Sequence, residues 1–182
     1  MRAAGEGISV LHVDDEPGFA SMVAEFVERE DDRLSVDAVP SAAEGLERLG
    51  TGSVNCIVSD YEMPGRDGIE FLEAVRAEYP DLPFILYTGK GSEEVASEAI
   101  SAGVTDYLQK AGGTEQYALL ANRIAASVER YRARQAVDWQ RAIIQNMGEG
   151  VYVFDRDHVL RYVNFRVPDV DSISEDDWQG RH

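Results

Sequence analysis

Carboxylates and two donor side chains follow five short apolar segments of this sequence, and together they could carry out phosphoryl transfer. Asp14 and Asp15 follow the first segment, and Asp60 follows the third. Thr88 ends the fourth segment, and Lys110 follows the fifth. Phosphoryl transfer to a carboxylate needs a nucleophilic oxygen, a cation and donors for the remaining phosphoryl oxygens. We therefore assign Asp60 as the candidate nucleophile, with Thr88 and Lys110 as the donors.

The three aspartates also predict a metal site. Carboxylates brought together without a cation repel one another, and a hard divalent ion with oxygen ligands relieves that repulsion. Mg²⁺ suits a site that has one or two carboxylates and keeps several waters. As an alternative, Asp14 or Asp15 only caps the helix that begins at Pro17. Because Asp60 supplies a third carboxylate at a neighbouring strand end, we favour the metal site.

Strands and helices alternate five times over the first part of the chain. The apolar runs have the length of strands, and the central ones are apolar throughout, as in a parallel sheet covered on both faces. They lie at residues 8–13, Leu34–Val39, Val54–Ser59, Pro83–Thr88 and Thr105–Gln109. In the fourth helical stretch, Val95, Ala99 and Ile100 are predicted to form the apolar face. This alternation predicts an open, doubly wound α/β domain with its chemistry at the carboxyl ends of the strands.

The pattern changes after the fifth strand. From 114 to 147 there is neither glycine nor proline, and apolar residues recur at three- and four-residue steps at first. This predicts one long helix that packs on the domain at its start and leaves it further on. Residues Val151–Phe154 and Val159–Val163, separated by a turn at 155–157, then predict a β-hairpin.

Four motifs at the strand ends resemble the receiver domain of two-component response regulators. They are Val13-Asp14-Asp15-Glu16, the segment 59–68 (Ser-Asp-Tyr-Glu-Met-Pro-Gly-Arg-Asp-Gly), Thr88-Gly89, and Asp106-Tyr107-Leu108-Gln109-Lys110. The resemblance covers residues 7–130. It implies a flavodoxin-like (βα)5 fold with strand order 2-1-3-4-5.

The resemblance also implies roles for individual residues. Asp60 would be the phosphoacceptor, with Thr88 and Lys110 binding the phosphoryl oxygens and Tyr107 acting as the aromatic switch beside Thr88. The implied Mg²⁺ ligands are Asp15, Asp60 and the backbone carbonyl of Glu62, with Asp14 acting mostly through water. The chain departs from the family at Ala111, where proline usually follows the lysine, so we expect a looser loop there.

The second part of the chain resembles the opening of a PAS sensor domain. Its motifs are the segment 143–155 and Arg161-Tyr162-Val163-Asn164. We accordingly divide the chain into a receiver domain at 7–130, a helical linker at 131–147 and a partial PAS-like segment at 143–182. The receiver-then-PAS order and the acidic, lysine-poor composition resemble haloarchaeal proteins, in which a kinase module would lie beyond residue 182.

The composition restricts the partners. There are 34 acidic and 17 basic residues, for a formal net charge of −17, which disfavours binding to nucleic-acid phosphates. The single cysteine excludes an internal disulfide, and no apolar window is long enough to span a membrane. We expect a cytoplasmic protein that is not itself an enzyme apart from its self-catalysed phosphotransfer and dephosphorylation. Its expected partner is a histidine kinase or phosphotransfer protein, with a second copy of the chain as a further candidate.

The sequence leaves three other functions to compare. The chain could be the N-terminal receiver of a hybrid PAS sensor histidine kinase. A flavodoxin-like binder of FMN is disfavoured because three carboxylates repel a phosphate and no Ser/Thr/Gly-rich loop follows the first strand. Metal-dependent phosphatases with an aspartyl nucleophile carry that residue at the first strand, whereas Asp60 follows the third.

Overall fold

The predicted parallel sheet is present. The computed structural model describes residues 7–89, 92–146, 152–154 and 160–163. Five strands pair in the order β2-β1-β3-β4-β5, and every pairing between neighbours is parallel. The strands are β1 (Ile8–Val13), β2 (Leu34–Val39), β3 (Cys56–Ser59), β4 (Phe84–Thr88) and β5 (Asp106–Gln109). This is the flavodoxin-like topology expected from the sequence.

Five helices connect and follow these strands. They are α1 (Pro17–Glu30), α2 (Ala42–Thr51), α3 (Gly68–Glu78), α4 (Glu93–Ser101) and α5 (Glu115–Asn146). Side-chain oxygens cap three of them: Ser41 caps α2, Asp67 caps α3 in a reciprocal capping box with Glu70, and Ser92 caps α4. These caps fix where the helices begin, and so they fix the length of the loops that follow the strands.

The core lies on both faces of the sheet. On one face α1 and the first part of α5 pack against the sheet, with Val23, Leu120 and Ile124 buried there. On the other face α2, α3 and α4 cover the sheet, with Phe71 and Leu72 buried there. Because β3 and β4 are buried along their whole length, they read in the sequence as continuous apolar runs.

Several local predictions differ from the structure. The fourth and fifth strands each begin one residue later than expected, at Phe84 and Asp106. The third strand begins at Cys56 instead of Val54, because the Asn55 side chain accepts a hydrogen bond from the main-chain nitrogen of Ser9 just before the strand. Ile100 was expected on the buried face of α4, but 70% of its surface is exposed. Only Ala99 is buried on this helix, because α4 touches the sheet along a narrow stripe and Ile100 lies about 100° further around the helix.

The chain divides into two compact units, residues 1–133 and 134–182. In the first unit, α5 is buried on one side up to Val128. In the second unit, β6 (Tyr152–Phe154) and β7 (Leu160–Val163) form an antiparallel pair with an irregularity between Val153 and Phe154. The two strands of the predicted hairpin are therefore present, while its turn at 155–157 and most of the segment 143–182 lie outside the described residues.

No helix in the described part of the chain combines the length and the hydropathy that membrane crossing requires.

Candidate functional site

Three carboxylates meet at the carboxyl edge of the sheet. β1 and β3 are adjacent and parallel, with Val13 opposite Ser59, so the residues that follow these strands are neighbours. Asp14, Asp15 and Asp60 each offer an oxygen, and these oxygens all lie within 4.8 Å of one another. Asp14 is fully buried and Asp60 is 8% exposed, whereas Asp15 is more open to solvent. This cluster of hard oxygen ligands fits a divalent cation such as Mg²⁺.

Local main-chain contacts hold the two buried carboxylates in place. Asp14 accepts a hydrogen bond from the nitrogen of Glu16 at 2.9 Å, which is the turn that leads into α1. Asp60 accepts one from the nitrogen of Tyr61 at 2.7 Å. Each of these bonds uses the Oδ1 atom of the aspartate, so each Oδ2 atom is directed to another partner. The alternative that Asp14 or Asp15 caps α1 is wrong, because the N-cap position is Glu16 and no side chain caps that helix.

Lys110 bridges the two buried carboxylates. Its Nζ donates to Asp14 Oδ2 at 2.8 Å and to Asp60 Oδ2 at 2.9 Å. Burial works against the charge of this lysine, but the two hydrogen bonds and the charges of both aspartates outweigh it, and the pKa of Lys110 is raised. Lys110 is therefore a cation at neutral pH and compensates part of the negative charge at the site.

Two aromatic rings flank the ammonium group of Lys110. Its Nζ lies 4.3 Å from the centre of the Phe19 ring and 5.9 Å from the centre of the Tyr87 ring. Those two rings are stacked on each other, with centroids 6.2 Å apart. A cation over an aromatic face is stabilised by the electrostatics of the ring. The side chain of Lys110 is thus fixed by two carboxylates at its tip and by aromatic surface beside it.

Thr88 and Tyr107 belong to adjacent strands near the same edge. Thr88 is the last residue of β4; it is buried, and its carbonyl accepts from the nitrogen of Lys110 at 2.9 Å. Tyr107 lies in β5, and its ring packs against the core on the α2–α3–α4 side of the sheet. Its hydroxyl oxygen is buried and finds no hydrogen-bond partner among the described residues.

The loop between β3 and α3 borders the carboxylate cluster. An open depression beside Asp15 is lined by Asp15, Tyr61, Glu62, Met63, Pro64 and Asp67. The loop is closed by a hydrogen bond from the nitrogen of Gly68 to the carbonyl of Tyr61 at 2.9 Å. A Cβ atom at Gly68 would lie 2.3 Å from the carbonyl oxygen of Asp60, so only glycine fits there. Gly68 therefore lets α3 start directly against the segment that carries Asp60.

His12 lies just behind the carboxylates, in β1. It is 1% exposed, and neither ring nitrogen has a hydrogen-bond partner in the part of the chain that is described. Its Nε2 is 3.9 Å from Asp14 Oδ2. Burial lowers the pKa of His12 to about 4, and the nearby charge of Asp14 offsets only part of that effect. The imidazole is therefore neutral at pH 7.

Comparison with known proteins identifies the family of this fold and site. Residues 10–121, more than half of the chain, match the family model of the response regulator receiver domain. The chain belongs to this family. Its receiver domain includes the whole sheet except two residues at the start of β1, and it includes all the residues of the carboxylate cluster together with Thr88, Tyr107 and Lys110.

Individual relatives agree with this assignment. A cyclic di-GMP phosphodiesterase response regulator of Xanthomonas campestris is 33% identical over 106 residues, which is 57% of this chain and 28% of that protein. A CheY-like receiver domain from Methanospirillum hungatei has the same fold, with a TM-score of 0.63 at 23% identity, over 70% of this chain and 98% of that one. The beryllofluoride-activated NtrC4 receiver dimer gives a TM-score of 0.60 at 29% identity, over 68% and 98% of the two chains.

The chain spans less than a third of the length of the first curated relatives that it matches. Those relatives therefore support the receiver domain and say nothing of the remainder of this protein.

The structure brings most of the sequence-predicted site residues of this receiver domain together. Asp14, Asp60 and Lys110 form one hydrogen-bonded group, and Asp15 lies at its solvent side. Thr88 and Tyr107 lie on the two strands next to that group, and Glu62 is exposed in the adjoining loop.

Sequence reasoning missed four neighbours of this group. Phe19, Tyr87 and His12 have no role in the sequence-based assignment of the site, and that assignment does not include the steric need for glycine at position 68. An apolar residue that contacts a lysine tip carries no sequence signal of that contact. In contrast, Gly68 closes the ten-residue motif that follows β3, and this position could have been singled out.

Proposed function

We propose that this receiver domain accepts a phosphoryl group on Asp60 from a histidine kinase or a phosphotransfer protein. The observation that carries the proposal is the pair of short contacts from Lys110 to Asp60 and Asp14, at the edge where three carboxylates converge. Asp60 Oδ2 attacks the phosphorus of the donor phosphohistidine, the P–N bond breaks, and an acyl phosphate forms on Asp60. Later attack by water returns inorganic phosphate and the free carboxylate.

The residues around Asp60 have distinct tasks in this proposal. Asp15, Asp60 and the backbone carbonyl of Glu62 would hold Mg²⁺, with Asp14 acting mostly through water. When bound, Mg²⁺ supplies positive charge for the oxygens of the transferring group. Lys110 exchanges its bond to Asp60 for one to a phosphoryl oxygen, and the Thr88 hydroxyl donates to another. The domain thus catalyses only its own phosphorylation and dephosphorylation.

We propose that Thr88 and Tyr107 transmit the effect of phosphorylation at Asp60 to the surface of the domain. Movement of the Thr88 hydroxyl toward the phosphoryl group leaves room for the ring of Tyr107, which lies on the neighbouring strand. Repacking of Tyr107 then changes the surface formed by α4, β5 and α5. The conformational change reaches the segment beyond residue 130 through α5, which runs without interruption to Asn146.

Beryllofluoride tests the proposal because it occupies the place of a phosphoryl group on an aspartate. Amide resonances of the wild type should shift around β3, β4 and β5 when Mg²⁺ and beryllofluoride are added together. Asp60→Asn should show no such shifts, whereas Asp32→Asn, which changes an exposed aspartate elsewhere, should respond like the wild type. Equal responses of the wild type and Asp60→Asn would contradict the proposal.

We also propose that residues 131–147 are a helical linker and that 143–182 begin a PAS domain, so that 7–130 is a receiver preceding a sensor module. The antiparallel strands β6 and β7 support this reading, and a hybrid PAS sensor histidine kinase is the alternative form of the whole protein. Reading the gene downstream of codon 182 tests the idea. If the chain continues beyond residue 182, strands and helices that complete a PAS core should follow there, and an unrelated sequence would contradict the PAS assignment.

The acidic composition supports a haloarchaeal cytoplasm as the working environment. A net charge of −17 causes self-repulsion that dissolved salt screens. The midpoint of thermal unfolding should therefore rise steadily from dilute buffer to molar KCl. A midpoint that is highest in dilute buffer would contradict this assignment.

A second copy of the chain is a further candidate partner. The solved NtrC4 receiver is described as a beryllofluoride-activated dimer, which supports a dimer of this chain in the phosphorylated state. Light scattering should show a rise in molar mass when Mg²⁺ and beryllofluoride are added to the wild type and none for Asp60→Asn. A wild type that keeps the molar mass of a monomer when Mg²⁺ and beryllofluoride are added would contradict the dimer.

A further inference from the structure

The loop that connects Lys110 to α5 consists of small, exposed residues that do little to order it by themselves. Ala111, Gly112 and Gly113 are exposed, and Gly113 has a φ of +90°, which favours glycine. Two consecutive glycines have the largest conformational freedom of any residue pair, so this loop needs outside contacts to stay ordered. The proposed chemistry requires order here, because the Lys110 ammonium must meet oxygens of two different aspartates.

One side chain, Gln116 in the first turn of α5, supplies those contacts. Its Oε1 accepts from the nitrogen of Ala111 at 3.0 Å, and its Nε2 donates to the carbonyl of Gly113 at 2.9 Å. The same Oε1 accepts a hydrogen bond from the hydroxyl of Tyr87. These partners fix the orientation of the amide, since reversing it would place its NH₂ group against the N–H of Ala111.

Tyr87 connects this contact point to the reacting group. Its ring is buried in β4, stacks with Phe19 and lies 5.9 Å from Lys110 Nζ, while its hydroxyl reaches Gln116. Gln116 in turn binds the residue that directly follows Lys110. Both the main chain and the side chain of Lys110 are thus fixed with respect to the same tyrosine.

We propose that Gln116 and Tyr87 together are positioning residues that hold Lys110 in place for phosphoryl transfer. This proposal rests on the proposed function of Asp60 and deepens it. Loss of the Gln116 side chain frees the glycine pair, so that the Lys110 ammonium spends less time between Asp14 and Asp60. The same contacts connect the position of Lys110 to the start of α5. A shift of Lys110 toward a phosphoryl group therefore displaces the first turn of that helix.

The test uses Gln116→Leu, with Gln140→Leu as the matched control because it makes the same change at an exposed position of the same helix. Phosphorylation by acetyl phosphate with Mg²⁺ is followed by intact-protein mass spectrometry. The initial rate should fall about tenfold or more in Gln116→Leu, since a misplacement of about 1 Å at a reacting group can cost about a hundredfold. Gln140→Leu should keep the wild-type rate.

Two further measurements separate positioning from a general loss of structure. Hydrogen exchange of the Ala111 amide should be slow in the wild type and Gln140→Leu and fast in Gln116→Leu, while amides of β1 and β3 stay protected in all three. Gln116→Glu, which keeps the acceptor for Ala111 and Tyr87, should restore most of the rate. Tyr87→Phe, which keeps the ring and removes only the hydroxyl, should slow phosphorylation about threefold and serves as the test if Gln116→Leu does not fold.

The outcomes distinguish the two proposals. If the wild type is not phosphorylated at all, the function proposed for Asp60 fails, and the positioning role fails with it. If the wild type is phosphorylated and both Gln116→Leu and Tyr87→Phe react at its rate, the positioning role is overturned while the function of Asp60 stands. A slow Gln116→Leu protein whose Ala111 amide remains protected also overturns it, because the loop is then held by other contacts.

Discussion

The ammonium nitrogen of Lys110 lies 2.9 Å from an oxygen of Asp60 and 2.8 Å from an oxygen of Asp14. These two aspartates are 46 residues apart in sequence, and Lys110 is 50 residues beyond the second. A single cation thus neutralises part of a cluster that would otherwise repel itself. The same cation competes with a divalent ion for the oxygens of the cluster.

Replacing Lys110 with methionine should expose this competition. In metal-free buffer Lys110→Met should lower the free energy of unfolding by roughly 1–3 kcal/mol, since the oxygens of two buried carboxylates lose their hydrogen-bond donor. Added Mg²⁺ should then raise the thermal midpoint of Lys110→Met more than that of the wild type. Lys110→Arg, which keeps the charge, should behave more like the wild type. An identical Mg²⁺ response in the wild type and Lys110→Met would show that the lysine and the ion do not compete.

The parallel topology explains why the carboxylate cluster was predictable from the sequence. Adjacent parallel strands end at the same edge, so residues that follow β1 and β3 must meet, whatever the intervening helices contain. The exposed Ile100 was mispredicted for the opposite reason: helical periodicity marks a wide apolar arc, and the contact of α4 with the sheet is narrower than that arc. Contacts such as Phe19 with Lys110 depend on how a helix sits on the sheet, and local sequence does not encode that.

Gly68 should tolerate no side chain. Gly68→Ala places a Cβ against the Asp60 carbonyl and the Leu86 side chain, and should destabilise the fold by roughly 1–3 kcal/mol through overpacking. Gly50→Ala is the control, because no atom lies within 4 Å of the added methyl there and alanine favours the helix by up to about 1 kcal/mol. Urea unfolding of both variants gives the comparison. If Gly68→Ala had the same free energy of unfolding as Gly50→Ala, the loop between β3 and α3 would accommodate the added methyl group without destabilising the fold.

Removal of the Tyr107 hydroxyl should not destabilise the protein. This oxygen is buried without a partner among the described residues, so Tyr107→Phe removes a desolvated polar atom. We expect an unchanged or higher free energy of unfolding, by up to about 1 kcal/mol. Tyr87→Phe should lower it, since the Tyr87 hydroxyl is bonded to Gln116. A clear loss of stability in Tyr107→Phe, measured by urea unfolding in metal-free buffer, would indicate that its hydroxyl is bonded in solution.

His12 should make the stability of the metal-free protein depend on pH. In the unfolded chain its imidazole takes up a proton as pH falls below about 6.5, whereas in the folded protein burial holds its pKa at about 4. Protonation therefore favours the unfolded state between these values. Stability contributed by neutral His12 is complete above pH 6.5 and is lost as pH falls toward 4, by about 2 to 3 kcal/mol.

The His12→Leu variant isolates this contribution, because the carboxylates titrate in both proteins. The wild type should lose more stability than His12→Leu between pH 6.5 and pH 4.5, as measured by urea unfolding with a chelator present. NMR titration of the His12 ring should show no protonation above pH 5. Equal pH dependence in the two proteins would mean that the ring is solvated or already charged in the folded state.

The central claim is that Asp60 itself carries the phosphoryl group. After reaction with acetyl phosphate and Mg²⁺, borohydride reduces an aspartyl phosphate to homoserine, and peptide mass spectrometry locates the modified residue. We predict a single homoserine at position 60 in the wild type and in Asp32→Asn, and none in Asp60→Asn. Homoserine at position 14 or 15 instead, or at no position while the whole protein gains the mass of a phosphoryl group, would contradict the account.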